Sequence, residues 1–215
     1  MTRALVVTGT DTGIGKTVVA AGLVGALDAD YWKPVQAGLD GESDSETVMR
    51  LARLPAERAH AEAYRLTTPA SPHRAAEIDG LDIDTSRLSP PATARTLVIE
   101  GAGGLLVPLN RRELQIDLLA RWRFPIILVT STRLGTINHT LLSLEALRAR
   151  ALPVVGVLFT GENNADTERT ICDFADVPSL GRLPILTPLD SDTLSRAFSS
   201  RIDIAAIRSA LERAP

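Results

Sequence analysis

Residues 8–17 read Thr-Gly-Thr-Asp-Thr-Gly-Ile-Gly-Lys-Thr and follow directly on the apolar run Ala4-Leu5-Val6-Val7. An apolar strand, a glycine-rich loop and a helix that opens on Gly-Lys-Thr leave few possible folds. The backbone N–H groups of such a loop and of the first helical turn converge on one point, where a polyphosphate can sit. Lys16 adds a mobile positive charge for the outer phosphates, and the Thr17 hydroxyl can hold Mg²⁺. The spacing departs from the commonest P-loop: five residues separate Gly9 from Gly15, where the usual pattern has four, and Thr10 stands where that pattern would begin. The competing reading is a strand–turn–helix with incidental glycines. It does not account for strand, loop and helix all standing in the order the motif requires.

Apolar strand-like runs alternate with amphipathic stretches along the rest of the chain. Strands are expected at 4–8, 30–33, 96–100, 125–130 and 153–159, and helices at 16–27, 44–54, 116–122, 137–148, 166–174 and 202–213. Leu97-Val98-Ile99 and Ile126-Ile127-Leu128-Val129 are apolar throughout rather than alternating, which marks a parallel sheet covered on both faces. The expected fold is therefore α/β, P-loop NTPase-like, with a mostly parallel sheet and helices on both faces. No Pro/Gly/Ser-rich linker or shift in composition divides the 215 residues, so the expectation is a single domain over 1–215. A hydrophobic content of 45% suffices for its core.

Charge and cysteine usage exclude other classes. A net charge of −3 without a basic run does not suit a nucleic-acid partner. The one cysteine, Cys172, allows neither an internal disulfide nor a cysteine metal cluster, and reads as a small core residue. No apolar stretch approaches a membrane span, and the chain opens on a strand without a signal peptide, so the expectation is a cytoplasmic enzyme.

In open parallel sheets ligands bind at the carboxyl ends of the strands. Glu100-Gly101-Ala102-Gly103-Gly104 ends one strand, where an acid in a P-loop protein faces the Mg²⁺ site and glycines let backbone approach a ligand. Lys33-Pro34-Val35-Gln36-Ala37-Gly38 ends another, and a lysine there would face the same phosphates as Lys16. Asp44 lies where Ser43 could cap a helix, so local sequence suits a capping-region acid as well as a functional one. His60, in Arg58-Ala59-His60-Ala61, reads as a surface residue.

Taken together with Ser71-Pro72-His73 and Leu134-Gly135-Thr136-Ile137-Asn138-His139, these motifs resemble the dethiobiotin synthetase family, whose order they follow as far as residue 139. The segment 181–186 also fits. The resemblance implies an ATP-dependent cyclo-ligase of biotin synthesis. Its partners would be 7,8-diaminononanoate and CO₂ or bicarbonate; its cofactors would be Mg²⁺ with ATP, or another nucleoside triphosphate, as co-substrate. It further implies a homodimer with no nucleic-acid or membrane partner.

Carried over residue by residue, the resemblance assigns Gly13, Ile14, Gly15, Lys16, Thr17 and Val18 to the nucleotide, joined by Asp44, Glu100, Gly101, Ala102 and Gly103. The base falls to Thr160, Pro184, Ile185 and Leu186. Thr17, Asp44 and Glu100 surround Mg²⁺, and Lys33 and Lys16 are the catalytic lysines. Thr12, Lys33, Ala37, Ser71, Pro72 and Gly103 contact the substrate, with Gly135 and Asn138 at a helix start that receives its carboxylate tail. His73 and His139 take backbone-shaping or substrate-lining duties. Two positions depart from the family pattern: Ala37 stands where many members have Ser or Thr, and Thr160 where an adenine-reading Asn is common.

Two rival readings share the architecture. A nucleotide-switched positioning or partition ATPase would carry a further lysine early in the loop, where this chain has Thr10 and Asp11, and often a basic membrane-binding terminal helix; here Asp203 and Glu212 interrupt the basic face of 201–213, which reads as a core-packing helix. An amidotransferase-type ligase would need a glutaminase domain for which this chain is too short.

Overall fold

The computed structural model describes residues 3–213. In chain order the elements are β1 (Ala4–Gly9), α1 (Lys16–Leu27), β2 (Asp30–Trp32), β3 (Val35–Ala37), α2 (Asp44–Ala52), β4 (Ala59–His60), β5 (Tyr64–Leu66), α3 (Pro72–Ile78), β6 (Leu97–Gly104), α4 (Gln115–Trp122), β7 (Ile126–Ser131), α5 (Thr136–Ala149), β8 (Val154–Thr160), α6 (Ala165–Ala175), β9 (Ser179–Leu183), α7 (Ser191–Arg201) and α8 (Ile204–Arg213). Seven strands form one sheet in the order β4-β2-β6-β1-β7-β8-β9, and every pairing in it is parallel. Strands β3 and β5 form a separate parallel pair beside it.

The uninterrupted apolar strands have the expected cause. Leu5, Val7, Val98, Ile127 and Val129 point into a core shared with α1, α2, α7 and α8. Their neighbours Ala4, Val6, Leu97, Ile99 and Ile126 point the other way, into a second core with α4 and α5. Successive side chains alternate faces, and helices cover both, so these stretches are apolar on either face, and buried polar groups such as Thr8, Glu100 and Thr130 stand after them, toward the carboxyl ends of their strands.

All the expected strands and helices are present, with ends shifted by a few residues. Strand β6 runs on to Gly104, so Glu100 lies inside it rather than at its end and the glycine run is strand, not turn. Pairing of Gly104 with Gly9 and a buried Gln115 amide behind Gly101–Gly104 hold this extension. Six elements gave no adequate pattern. Strands β3, β4 and β5 have only two or three residues. The edge strand β9 mixes polar with apolar residues and needs Gly181 at φ 102°, because a Cβ there would meet the Arg201 carbonyl at 2.0 Å. Helix α7 buries only Leu194, Ala197 and Phe198, and α3 is seven residues long.

Helix α8 buries Ile207 and Leu211, as its amphipathic pattern requires. Cys172 is half-buried against the α6 core, and burial raises its thiol pKa, which suits a packing residue. His60 corrects the surface reading: it lies on β4 with its side chain 23% exposed and Nε2 3.6 Å from Asp30. No helix among the described residues is long and apolar enough to cross a membrane.

Candidate functional site

The P-loop bridges β1 and α1 at the carboxyl edge of the sheet. Gly13 (φ 70°) and Gly15 (φ 94°) supply the left-handed conformations that turn the chain into the helix, a region costly for residues with a Cβ. The extra residue Thr10 is tied to the next strand: its N–H donates to the Val129 carbonyl at 3.1 Å, and its hydroxyl lies 3.2 Å from that of Thr130. Lys16 folds back over the loop, Nζ donating to the Asp11 carbonyl at 2.6 Å.

Behind the loop, four side chains from three elements and the turn after β2 converge. Thr17 Oγ1 lies 2.9 Å from Glu100 Oε1 and 3.1 Å from Asp44 Oδ1. Lys33 Nζ lies 2.6 Å from Asp44 Oδ2 and 3.2 Å from Glu100 Oε1. Asp44 opens α2 under a capping box formed by Ser43 and Glu46, and its backbone N–H donates to Gln36 Oε1 at 3.3 Å. Its carboxyl is therefore aimed at Thr17 and Lys33 and takes no part in capping, which decides between the two local readings.

Burial opposes every charge here, and partners decide the net effect. Burial lowers the Lys33 pKa, but the fields of Glu100 and Asp44 outweigh it and leave the ammonium more stable than usual. Burial raises the Asp44 pKa, and Lys33 overrides it, holding the carboxyl below its ordinary range. Lys16 has a carbonyl for partner; burial dominates over the attraction of Glu100 and brings its pKa down to about 8. Burial and the field of Glu100 raise the Tyr31 pKa well above its ordinary value.

Two cavities meet at Gly13 and Gly15. The first, about 630 Å³, is lined by Thr12, Lys16, Thr17, Lys33, Ala37, Asp44, Ser71, Pro72, Glu100, Ala102 and Gly103. The second, about 680 Å³, is lined by Ile14, Val18, Thr160, Pro184, Ile185 and Leu186 among others. Besides His73 and His139, three carried-over residues line neither. Gly101 faces inward, where a Cβ would meet the Gln115 amide at 2.6 Å. Gly135 and Asn138 lie at the exposed start of α5. With His139 and Leu142 they occupy positions i, i+3, i+4 and i+7, one face of that helix, and all four are exposed. His139 and Leu142 also line a groove of about 390 Å³ with Thr10–Thr12 and Leu105–Val107.

Thr160 does not face the second cavity as a base reader. Its hydroxyl donates to the P-loop carbonyl of Ile14 at 2.7 Å, with the Thr130 carbonyl at 3.2 Å. Asn164 caps α6, accepting from the Thr167 N–H. Asn163 Oδ1 accepts from Arg182, which also donates to the Gly161 carbonyl and pairs with Glu168 at 2.8 Å. Sequence reasoning passed over Tyr31, Gln36, Gln115 and Arg182. Each is a polar residue inside an otherwise ordinary strand or helix start, so only the fold shows what it holds.

The cation implied by the motif can be tested against this donor set. Among the described residues no group of three or more His, Cys, Asp or Glu could hold a metal. The converging donors are two carboxylates and one hydroxyl, all oxygen, a set that suits Mg²⁺ sharing its shell with water and phosphate.

Comparison with known proteins agrees with this geometry. Residues 3–193 match a family model described as AAA domain. An ATP-dependent dethiobiotin synthetase BioD from Rhodopseudomonas palustris (strain HaA2) is 59% identical over 203 residues, 94% of this chain and 95% of that protein. Proteins of the same name from Nitrobacter hamburgensis (59%, covering 93% of this chain and 94% of that protein) and Bradyrhizobium diazoefficiens (57%, covering 92% and 94%) are similarly close. Among solved structures, a ParA family ATPase from Chlorobium tepidum is similar with a TM-score of 0.58 at 14% identity, covering 98% of each chain. A chain of the MinC:MinD cell division protein complex of Aquifex aeolicus reaches 0.56 at 16%, covering 99% of this chain and 97% of that one. Those two likenesses are of fold alone, and the sequence relatives carry the assignment: the chain belongs to the dethiobiotin synthetase family.

Proposed function

We propose that this chain is an ATP-dependent dethiobiotin synthetase, a cyclo-ligase acting on 7,8-diaminononanoate and CO₂. The observation that carries the reading is the cluster of buried Lys33 and Glu100 with half-buried Asp44 and Thr17 beside the P-loop. In this reaction one amine adds to CO₂ and loses a proton, giving a carbamate. A carbamate oxygen attacks the γ-phosphorus and ADP leaves. The second amine then attacks the carbonyl carbon, closing the ureido ring and expelling phosphate.

Two anions must approach each other, so charge neutralisation and positioning are what the protein has to supply. Lys33 stays an ammonium and so acts electrostatically rather than as a base. Lys16 leaves the Asp11 carbonyl to reach the outer phosphates. Thr17, Asp44 and Glu100 would hold Mg²⁺, which supplies further charge neutralisation of the polyphosphate when bound. Gly13 to Val18, with Ala102 and Gly103, cradle the nucleotide, while Pro184, Ile185 and Leu186 border the base. Thr12, Ala37, Ser71 and Pro72 border the diamine, and because Ala37 lacks a hydroxyl, a side-chain hydrogen bond to the substrate is either lost there or made by a backbone group. Gly101 serves from behind, by leaving room for Gln115.

Among the described residues no element covers the α5 face of Gly135, Asn138, His139 and Leu142, which supports a homodimer in which a second copy meets it. We further take residues 1–215 as one domain of a cytoplasmic enzyme. The partition-switch reading is not favoured: Thr10 and Asp11 stand where a second loop lysine would be required.

The test is formation of dethiobiotin and phosphate from diamine, bicarbonate, Mg²⁺ and ATP by the purified protein. Nucleotide turnover independent of the diamine, with no dethiobiotin, would overturn the reading.

A further inference from the structure

Glu100 uses its two carboxylate oxygens differently. Oε1 faces the site, 2.9 Å from Thr17 Oγ1 and 3.2 Å from Lys33 Nζ. Oε2 accepts a 2.8 Å hydrogen bond from the Tyr31 hydroxyl. Tyr31 is fully buried and Glu100 is 1% exposed. The pairing follows from register: Tyr31 on β2 stands opposite Val98 on β6, and Glu100 is two residues further along the same face. Asp44 differs, since both of its oxygens contact groups of the site itself.

We propose that Tyr31 is a positioning residue that sets divalent-cation selectivity: by occupying Oε2 it leaves Glu100 one oxygen for the site, which favours Mg²⁺ over Ca²⁺. The inference rests on the reading of Thr17, Asp44 and Glu100 as cation ligands. Its basis is coordination chemistry. Mg²⁺ keeps a small octahedral shell of single oxygens at roughly 2.0–2.1 Å, whereas Ca²⁺ takes about six to eight at roughly 2.3–2.6 Å and readily uses both oxygens of one carboxylate. A carboxylate pinned through its rear oxygen serves the first ion and handicaps the second. Groups that orient a ligand from behind commonly change metal affinity by about 10–100-fold when lost.

Tyr31→Phe removes the hydroxyl and keeps the buried ring. Mg²⁺ and Ca²⁺ are titrated against bound Mn²⁺, followed by electron paramagnetic resonance, with a non-hydrolysable ATP analogue present. The expected result is a ratio of Mg²⁺ to Ca²⁺ affinity lowered by about fivefold or more, with the thermal transition still cooperative. Tyr31→Leu, which also lacks the hydroxyl, should lower the ratio in the same direction. Glu100→Gln separates the two levels of the argument. If that variant binds Mg²⁺ as the parent does, the ligand assignment fails. If it binds Mg²⁺ more weakly while both Tyr31 variants keep the parent ratio, the assignment stands and the role of Tyr31 is overturned.

Discussion

Lys33 and Lys16 are buried lysines beside the same two carboxylates, yet their ionisation moves in opposite net directions. Lys33 touches Asp44 and Glu100, whose fields exceed the desolvation cost; Lys16 touches a neutral carbonyl, and desolvation wins. Two outcomes follow at this scale. Lys33→Ala removes a charge needed as the anionic transition state forms, so kcat should fall by on the order of 10²-fold or more with little change in nucleotide Kd. Near-normal turnover would show that the charge is dispensable. Lys16 has its folded pKa, about 8, below its unfolded value of 10.5. Phosphate binding requires the ammonium, so nucleotide affinity should be full below pH 8 and lost as pH rises through it, by about tenfold between pH 7 and pH 9. In the free protein the sign reverses: the unfolded state holds the extra proton between the two pKa values, so the Lys16 contribution to stability rises with pH across that window. Calorimetric titration of nucleotide across this range checks the first effect; an unchanged Kd would place the lysine's pKa elsewhere.

At the scale of elements, the segment from β8 into α6 bears on how a base would be read. Thr160 supports the P-loop, Asn164 caps a helix and the Asn163 oxygen is held by Arg182. An Asn amide can accept from the exocyclic amine of adenine while donating to a ring nitrogen; here no carboxamide of this segment keeps its oxygen free. Losing such a pair should cost about 1–3 kcal/mol of selectivity. CTP and GTP should therefore support dethiobiotin formation within a few tens-fold of ATP in kcat/KM, on that same scale. Four triphosphates compared at fixed Mg²⁺ decide it, and a preference for ATP of about a thousandfold or more would require backbone groups near Pro184–Leu186 to supply the missing contacts. The departure at residue 160 was legible in the sequence, because it stands at the end of an apolar strand. The commitment of Asn163 was not, because it depends on Arg182 from β9, a strand too polar to announce itself.

For the whole molecule, the exposed face of α5 bears on assembly. Leu106 and Leu142, 55% and 56% exposed, border the groove beside Thr10–Thr12. A charge there should oppose apolar association between copies. Leu142→Glu is expected to shift the protein from dimer to monomer in sedimentation and to raise the KM for the diamine while nucleotide Kd holds; a parent protein that sediments as a monomer removes the basis for the dimer. The sequence by itself determined the layered α/β architecture and the P-loop, and it singled out Lys16, Thr17, Lys33 and Glu100 as candidates for its chemistry. Those follow from local spacing and from strands apolar on both faces, which are properties of adjacent residues. Only the tertiary structure decided that Asp44 faces Lys33 rather than its own helix start, that Gly101 makes room for Gln115, and that Tyr31 holds the rear oxygen of Glu100. Each of these joins residues from separate elements across the sheet edge, and a hydrogen bond between distant positions leaves no periodicity in the chain that makes it.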